Sequence, residues 1–335
     1  MTHELKKIIS AYQNAKTNGI ASVLATVVSL DGSSYRRPGV RMLIHENGKM
    51  AGAVSGGCVE KEVLRQADSV FKTSIPKIMT YDGRYRLGCE GILYILLELF
   101  EPDDLFVSKF WEAIESRIPL RIESTYQKEH LEGFQFGSYF IFNSEKHVVR
   151  KGFDAQKSDL TFVQELNPCF KLIIIGAEHD AVQLCSYAAM TGWEVSIVAN
   201  PKEEKSIQDF PGATHFINVE AESFNADVDM QTAVVLMTHS FVKDLQFLDK
   251  LKHVNPAYLG VLGPLKRREK LLSDLLERDI SISEAFIDSI HGPAGLDIGA
   301  ETPQEIAIAV IAEILAVIHK RTPIHLKERE GRIHI

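Results

Sequence analysis

The apolar positions change their spacing about halfway along the chain, and the change predicts two unlike halves. An amphipathic helix is expected over residues 2–17, closed by Asn18-Gly19. Strands are expected at 21–30, 40–45 and 50–54, the last two joined through Asn47-Gly48, a dipeptide suited to a type I′ turn. From Cys58 onward Val59, Val63, Ala67 and Val70 return to helical spacing, with Glu60, Lys61, Glu62 and Arg65 between them. Strands at 76–81 and 92–100, a helix at 104–117, and three alternating strands near 120–126, 133–142 and 147–153 follow. The hydrophilic run 154–164 marks the expected boundary. The first half therefore reads as α+β, with hairpins and a mixed or antiparallel sheet.

Beyond the boundary, short apolar strands at 171–175, 194–198, 214–219, 232–237 and 257–262 are interleaved with helical patterns. Such alternation predicts a Rossmann-like, doubly wound parallel sheet, an α/β fold with its ligand crevice at the carboxyl ends of the strands. Thr302-Pro303-Gln304-Glu305 is a capping box with Pro in the first turn, placed before IAIAVIAEILAVI. That helix is apolar nearly all round, so it is expected in a core or an interface. The expected domains are 1–155 and 168–320, with a tail at 321–335.

Composition narrows the function classes. The 335 residues suffice for about two domains, and 45% hydrophobic with 24% charged residues is ordinary for a soluble globular protein. A net charge of −8 argues against a nucleic-acid surface. No apolar run is long enough for a membrane span, and the amphipathic N-terminus lacks the apolar core of a signal peptide. Cysteines at 58, 89, 169 and 185 form no CxxC pair, so a reducing cytoplasm is the expected home.

Three stretches carry candidate chemistry. Ser55-Gly56-Gly57-Cys58 is a tight turn that places a thiol at the mouth of a helix. Unpaired N–H groups and the helix dipole there lower a thiol's pKa and favour anions. The thiol reads either as a reactive or ligating group beside an anion site, or as a small buried hydrophobe. The second stretch, Gly176 to Ala181, resembles a dinucleotide-binding fingerprint, but Glu178 stands where the second glycine belongs. The acid expected at the end of the next strand, to hold ribose hydroxyls, is missing from Val198-Ala199-Asn200-Pro201. The fold is thus expected without ordinary NAD(P) binding. Third come two loops of the same half: Met237-Thr238-His239, with Asp244 one helical turn on, and the Gly-rich run 291–300 with Gly292, Gly295 and Asp297. His239 reads as a crevice residue or as a strand-end histidine bonded to backbone. The Gly-rich loop reads as an anion cradle or as a tight connection.

Taken together, these segments resemble the XdhC/CoxI family, accessory proteins of molybdenum hydroxylases such as xanthine dehydrogenase. In the first half the resemblance rests on the run 32–42 (GSSYRRPGVRM), on Ser55 to Glu60, and on Leu87-Gly88-Cys89-Glu90-Gly91. In the second it rests on the turn at Gly176, Met237-Thr238-His239, Leu262-Gly263-Pro264 with Arg267-Arg268, and the run 291–300. The resemblance implies a carrier more than a dehydrogenase. Such a protein binds molybdenum cofactor (molybdopterin) transiently, assists its sulfuration, and inserts it into a xanthine dehydrogenase-type hydroxylase. A cysteine desulfurase is a further implied partner, and a homodimer the implied assembly. Gly56, Gly57 and the 291–300 loop would supply anion-binding backbone, Arg36 or Arg37 a paired charge, and Cys58 or Cys89 a soft thiolate. The family usually carries Gly-Cys-Gly-Gly where this chain has Glu90, and Gly where it has Glu178. The alternative is an NAD(P)-dependent oxidoreductase using the second domain.

Overall fold

We describe a computed structural model of the protein, covering residues 1–32, 37–83, 91–129, 132–154, 160–225 and 227–330, with only the backbone of Cys58. The chain divides into two compact units, Met1–Pro168 and Cys169–Ile335.

The first unit opens with α1 (Thr2–Thr17), followed by β1 (Ser22–Asp31), β2 (Arg41–His45) and β3 (Met50–Gly52). Next come α2 (Cys58–Thr73), β4 (Lys77–Asp82), β5 (Ile92–Leu99) and α3 (Asp104–Glu115). Strands β1 to β5 form one antiparallel sheet in the order β3-β2-β1-β5-β4. Its central strand β1 is apolar at successive positions because both sheet faces are covered. Val23, Ala25 and Val27 pack against Val59, Val63 and Ala67 of α2, while Leu24 turns to the cluster formed with α1 and α3. Asp103 caps α3 by accepting from the Phe106 N–H at 2.7 Å.

A second antiparallel sheet, ordered β8-β7-β6-β9, consists of β6 (Leu120–Tyr126), β7 (Gly137–Phe142), β8 (Glu145–Val148) and β9 (Leu160–Leu166). Two expectations need correction here. The strand expected at 147–153 lies earlier, at Glu145–Val148, because the turn at Asn143 and Ser144 closes a hairpin with β7. The expected boundary run holds a strand at its end, since β9 pairs with β6 along its whole length. Its exposed, alternating polar face hid it in the sequence.

Between the layers of this unit lies a buried charge. β1 residues Leu24 and Thr26 pair with Glu98 and Arg41 respectively, so both charges project from the face that Leu24 shares with α1 and α3. Glu98 is fully buried and accepts from the Ser138 N–H (3.0 Å) and hydroxyl (2.6 Å). Arg41 donates to the Gly39 carbonyl and to Gln164 Oε1, at 2.9 and 2.5 Å. Burial raises the Glu98 carboxyl to about 7, against the pull of Ser138, Arg150 and Arg41.

The second unit contains β10 (Lys171–Ile175), α4 (His179–Met190), β11 (Glu194–Ala199), β12 (Ala213–Asn218), β13 (Thr232–Leu236) and α5 (Phe241–Leu251). It ends with β14 (Tyr258–Val261), α6 (Leu265–Arg278), α7 (Glu284–Asp288), β15 (Ile290–His291) and α8 (Pro303–Ile318). The six strands form a parallel sheet in the order β12-β11-β10-β13-β14-β15. This doubly wound order bears out the Rossmann-like expectation. Leu172 and Ile174 of β10 face α4 and α8, whereas Ile173 and Ile175 face α5 and α6, which is why the strand reads as an unbroken apolar run. The capping box at Thr302 and Glu305 is formed. Among the described residues, no helix is long and apolar enough to cross a membrane.

Because the folded state binds the Glu98 proton more tightly than the unfolded chain does, this group stabilises fully below its ordinary value of 4.5. That contribution, on the order of a few kcal/mol, is lost as pH rises through about 7. Calorimetric Tm is expected to fall between pH 5 and 8, and Glu98→Gln to flatten the curve. Parallel curves for the two proteins would contradict a titrating Glu98.

Candidate functional site

The glycine turn of the first unit runs into a helix at the position the sequence suggests. Gly57 has φ +54 and precedes Cys58, the first residue of α2. The helix has no side-chain cap, and a Cβ added at Gly56 or Gly57 would meet nothing within 4 Å. That leaves open space beside the turn, with the Val59 N–H already donating to the Gly56 carbonyl at 3.3 Å. Glu60 folds back so that one carboxylate oxygen accepts from the Ser55 N–H at 2.8 Å, while its other oxygen is buried without a partner. Arg37 is exposed. Arg36, Cys89 and Glu90 lie outside the described residues. The other two thiols, Cys169 and Cys185, are buried, and burial pushes Cys185 up to about 11, the behaviour of small hydrophobes.

In the second unit, Gly176 ends β10 with φ +135, and a Cβ there would strike the Met237 carbonyl, so only glycine lets the two strand ends approach. The turn beyond it is occupied by an ion pair. Lys205 donates to the Ala177 carbonyl and lies 3.7 Å from the Glu178 carboxylate. His239 has the left-handed φ of +56, and its Nε2 is 3.3 Å from Asp180 Oδ2 in the first turn of α4. A non-glycine residue in that conformation needs support from its surroundings. Buried Asp244 supplies it, accepting from the Thr238 hydroxyl at 2.6 Å and from Arg267 Nη2 at 2.7 Å. Gly176 and Thr238 thus open onto one crevice, walled by Val198, Val219, Ala221 and Phe247 and edged by Asn200, Glu203 and Lys243.

The Gly-rich loop is placed elsewhere, after β15 and two strands beyond β13. It already surrounds an anion, and that anion is internal. Glu313 of α8 accepts from the Gly295 N–H at 2.8 Å and from the Tyr258 hydroxyl at 2.5 Å, and His291 Nδ1 lies 3.2 Å away. Tyr258 and His291 stack at 4.6 Å between ring centroids. Burial pushes the Glu313 carboxyl up, but His291, Tyr258 and Gly295 together outweigh it and hold it below the usual range. Gly292 packs against Arg268, whose guanidinium reaches the Ile290 carbonyl, and Asp297 is exposed. Sequence reasoning misses both Glu313 and Tyr258. The signal for Glu313 is a charge in the apolar part of a helix whose other acid, Glu305, belongs to the capping box.

Two family models match the chain. One described as the XdhC Rossmann domain covers residues 172–314, and one described as the XdhC and CoxI family covers 15–82. The chain belongs to the XdhC/CoxI family. It is 29% identical over 315 residues to a protein of Bacillus subtilis named as a probable xanthine dehydrogenase subunit, a match that spans 88% of this chain and 92% of that protein. It is also 24% identical over 322 residues to the molybdenum cofactor insertion chaperone PaoD of Escherichia coli, spanning 95% and 90%. A crystal structure from Bacillus halodurans, described as a xanthine dehydrogenase, superposes with a TM-score of 0.77. It covers 94% of this chain and 97% of that one at 24% identity, a likeness of fold.

Within the XdhC/CoxI chain, the two matches take in Gly56, Gly57 and Cys58 on one side, and Gly176, His239, Gly292, Gly295 and Asp297 on the other. Among the described residues no group of three or more His, Cys, Asp or Glu could hold a metal ion. The Glu313 cluster is expected to be a stability determinant of this chain's second unit. Glu313→Ala leaves the Tyr258 hydroxyl and the Gly295 amide without an acceptor, an expected cost of about 2–3 kcal/mol in denaturant unfolding. Faster amide exchange at Gly295 should accompany it. Unchanged stability and exchange would show that the loop holds itself.

Proposed function

We propose that this protein binds molybdenum cofactor and inserts it into a xanthine dehydrogenase-type molybdenum hydroxylase. The observation that carries the reading is the likeness, over nearly the whole of both chains, to a molybdenum cofactor insertion chaperone. The name of the Bacillus subtilis relative supports the class of target enzyme.

The geometry at Cys58 suits such a cargo. A molybdopterin carries a phosphate and a soft metal–dithiolene centre. The start of α2, with no side-chain cap and open space at Gly56 and Gly57, offers the phosphate the positive end of the helix dipole. The thiol of Cys58 would stand beside that anion as a thiolate ligand, its ionised form favoured by the same helix end. Cys89 is the second candidate thiolate, and Arg36 or Arg37 the paired charge. Assistance with sulfuration, exchange with a cysteine desulfurase, a cytoplasmic location and a homodimeric assembly belong to the same proposal. A nicotinamide-dependent reaction draws no support from the turn at Gly176, where a Glu178 carboxylate stands in place of the second glycine, 3.7 Å from Lys205.

The test is pterin and molybdenum content after expression in a host that makes the cofactor. Oxidation converts bound pterin to its fluorescent form, and elemental analysis counts the metal. Near-stoichiometric pterin is expected in the wild type and clearly less in Cys58→Ala. A folded wild-type protein with no pterin would overturn the proposal.

A further inference from the structure

We propose that the outer face of the α4/α8 helix layer binds a second copy of this chain, with α8 of one protomer antiparallel to α8 of its partner. The inference rests on the homodimeric assembly proposed above and names its surface.

The two faces of the parallel sheet are covered unequally. α5 and α6 pack on one side and turn a charged surface to solvent, with Lys250, Lys266, Glu269, Lys270, Glu277 and Arg278 all exposed. α4 and α8 pack on the other side, against Leu172 and Ile174. α4 carries no charge after Asp180, and the one charge of α8 past its capping box is Glu313. That carboxylate is turned inward, to Gly295 and Tyr258. The outer face of this layer is therefore uncharged, and it is also apolar. Ile308 and Leu315 are 50% and 36% exposed, and Met190 at the end of α4 is 83% exposed. Ile308, Ala312 and Leu315 recur at the i, i+4, i+7 spacing of a single helix face, on the side away from Glu313. The charged layer is stable in water, whereas an apolar face across two helices gains free energy when it is covered.

The ends of α8 determine what covers it. Glu301 and Glu305 stand at its amino end, and Lys320 and Arg321 follow its carboxyl end, all four exposed. An antiparallel copy brings each acidic end against a basic one, and a two-fold axis makes that contact twice. A parallel copy would set like charges together. The face is thus complementary to itself, as an isologous dimer requires, with the apolar stripe at the centre and the charges at the rim.

Sedimentation velocity of the full chain over a range of concentrations tests this. The wild type is expected to be a dimer. Ile308→Asp with Leu315→Asp, both at exposed positions of the protomer, should weaken dimerisation about a hundredfold or more with an unchanged circular dichroism spectrum. Reversing one end of the helix, with Lys320→Glu and Arg321→Glu, should weaken it about tenfold, and adding Glu301→Lys should bring the affinity back up. Should the apolar variant fail to fold, this charge series still decides. A dimer of unchanged affinity in the apolar variant overturns the surface alone, and so does the absence of any gain on adding Glu301→Lys. A wild type that stays monomeric at submillimolar concentration overturns the surface and the homodimer together.

Discussion

Much of the second unit depends on one carboxylate. Glu313 is a charge set into the apolar helix α8, where a lone ion would be costly. It is tolerated because three donors converge on it from β14, β15 and the loop that follows. A second bond from the same loop, Leu296 N–H to the Ala309 carbonyl at 3.2 Å one turn earlier, holds α8 in the same register. Gly295 can deliver its amide because its φ of +115 brings the loop against Ala309 on the same helix. Here an anion-binding loop has its anion supplied from within the chain.

The first unit handles a buried carboxylate differently. Glu98 also interrupts an apolar element, the strand β5, but among the described residues its direct donors are the amide and hydroxyl of Ser138. Desolvation wins there and moves the group toward its neutral form, whereas the donors of Glu313 keep it ionised. Arg41, drawn from the run that includes Arg36 and Arg37, lies on the same sheet face as Glu98. Part of that basic motif therefore serves the packing of the unit.

Legibility in the sequence followed locality. The helices α1, α2 and α6 were readable because their apolar spacing and flanking residues are local properties. The same holds for the capping box of α8. β9, β15 and α7 escaped notice for different reasons: β9 is an exposed edge strand, and the other two are only two and five residues long. Among site residues, Gly176 was legible because a glycine after an apolar strand states its own backbone requirement. Tyr258 and Glu313 were not, because the two meet only through the tertiary fold. Nor could the sequence show that Gly295 donates to Glu313, a partner 18 residues away on another element.

Carriage of a cofactor implies delivery, and delivery can be measured. The protein loaded with molybdenum cofactor would be mixed with an apo xanthine dehydrogenase-type hydroxylase, and the gain of hydroxylase activity followed. An equal amount of free cofactor serves as the reference. Faster and more complete activation by the loaded protein is expected if it is an insertion chaperone. Activation no better than that given by free cofactor would contradict the role.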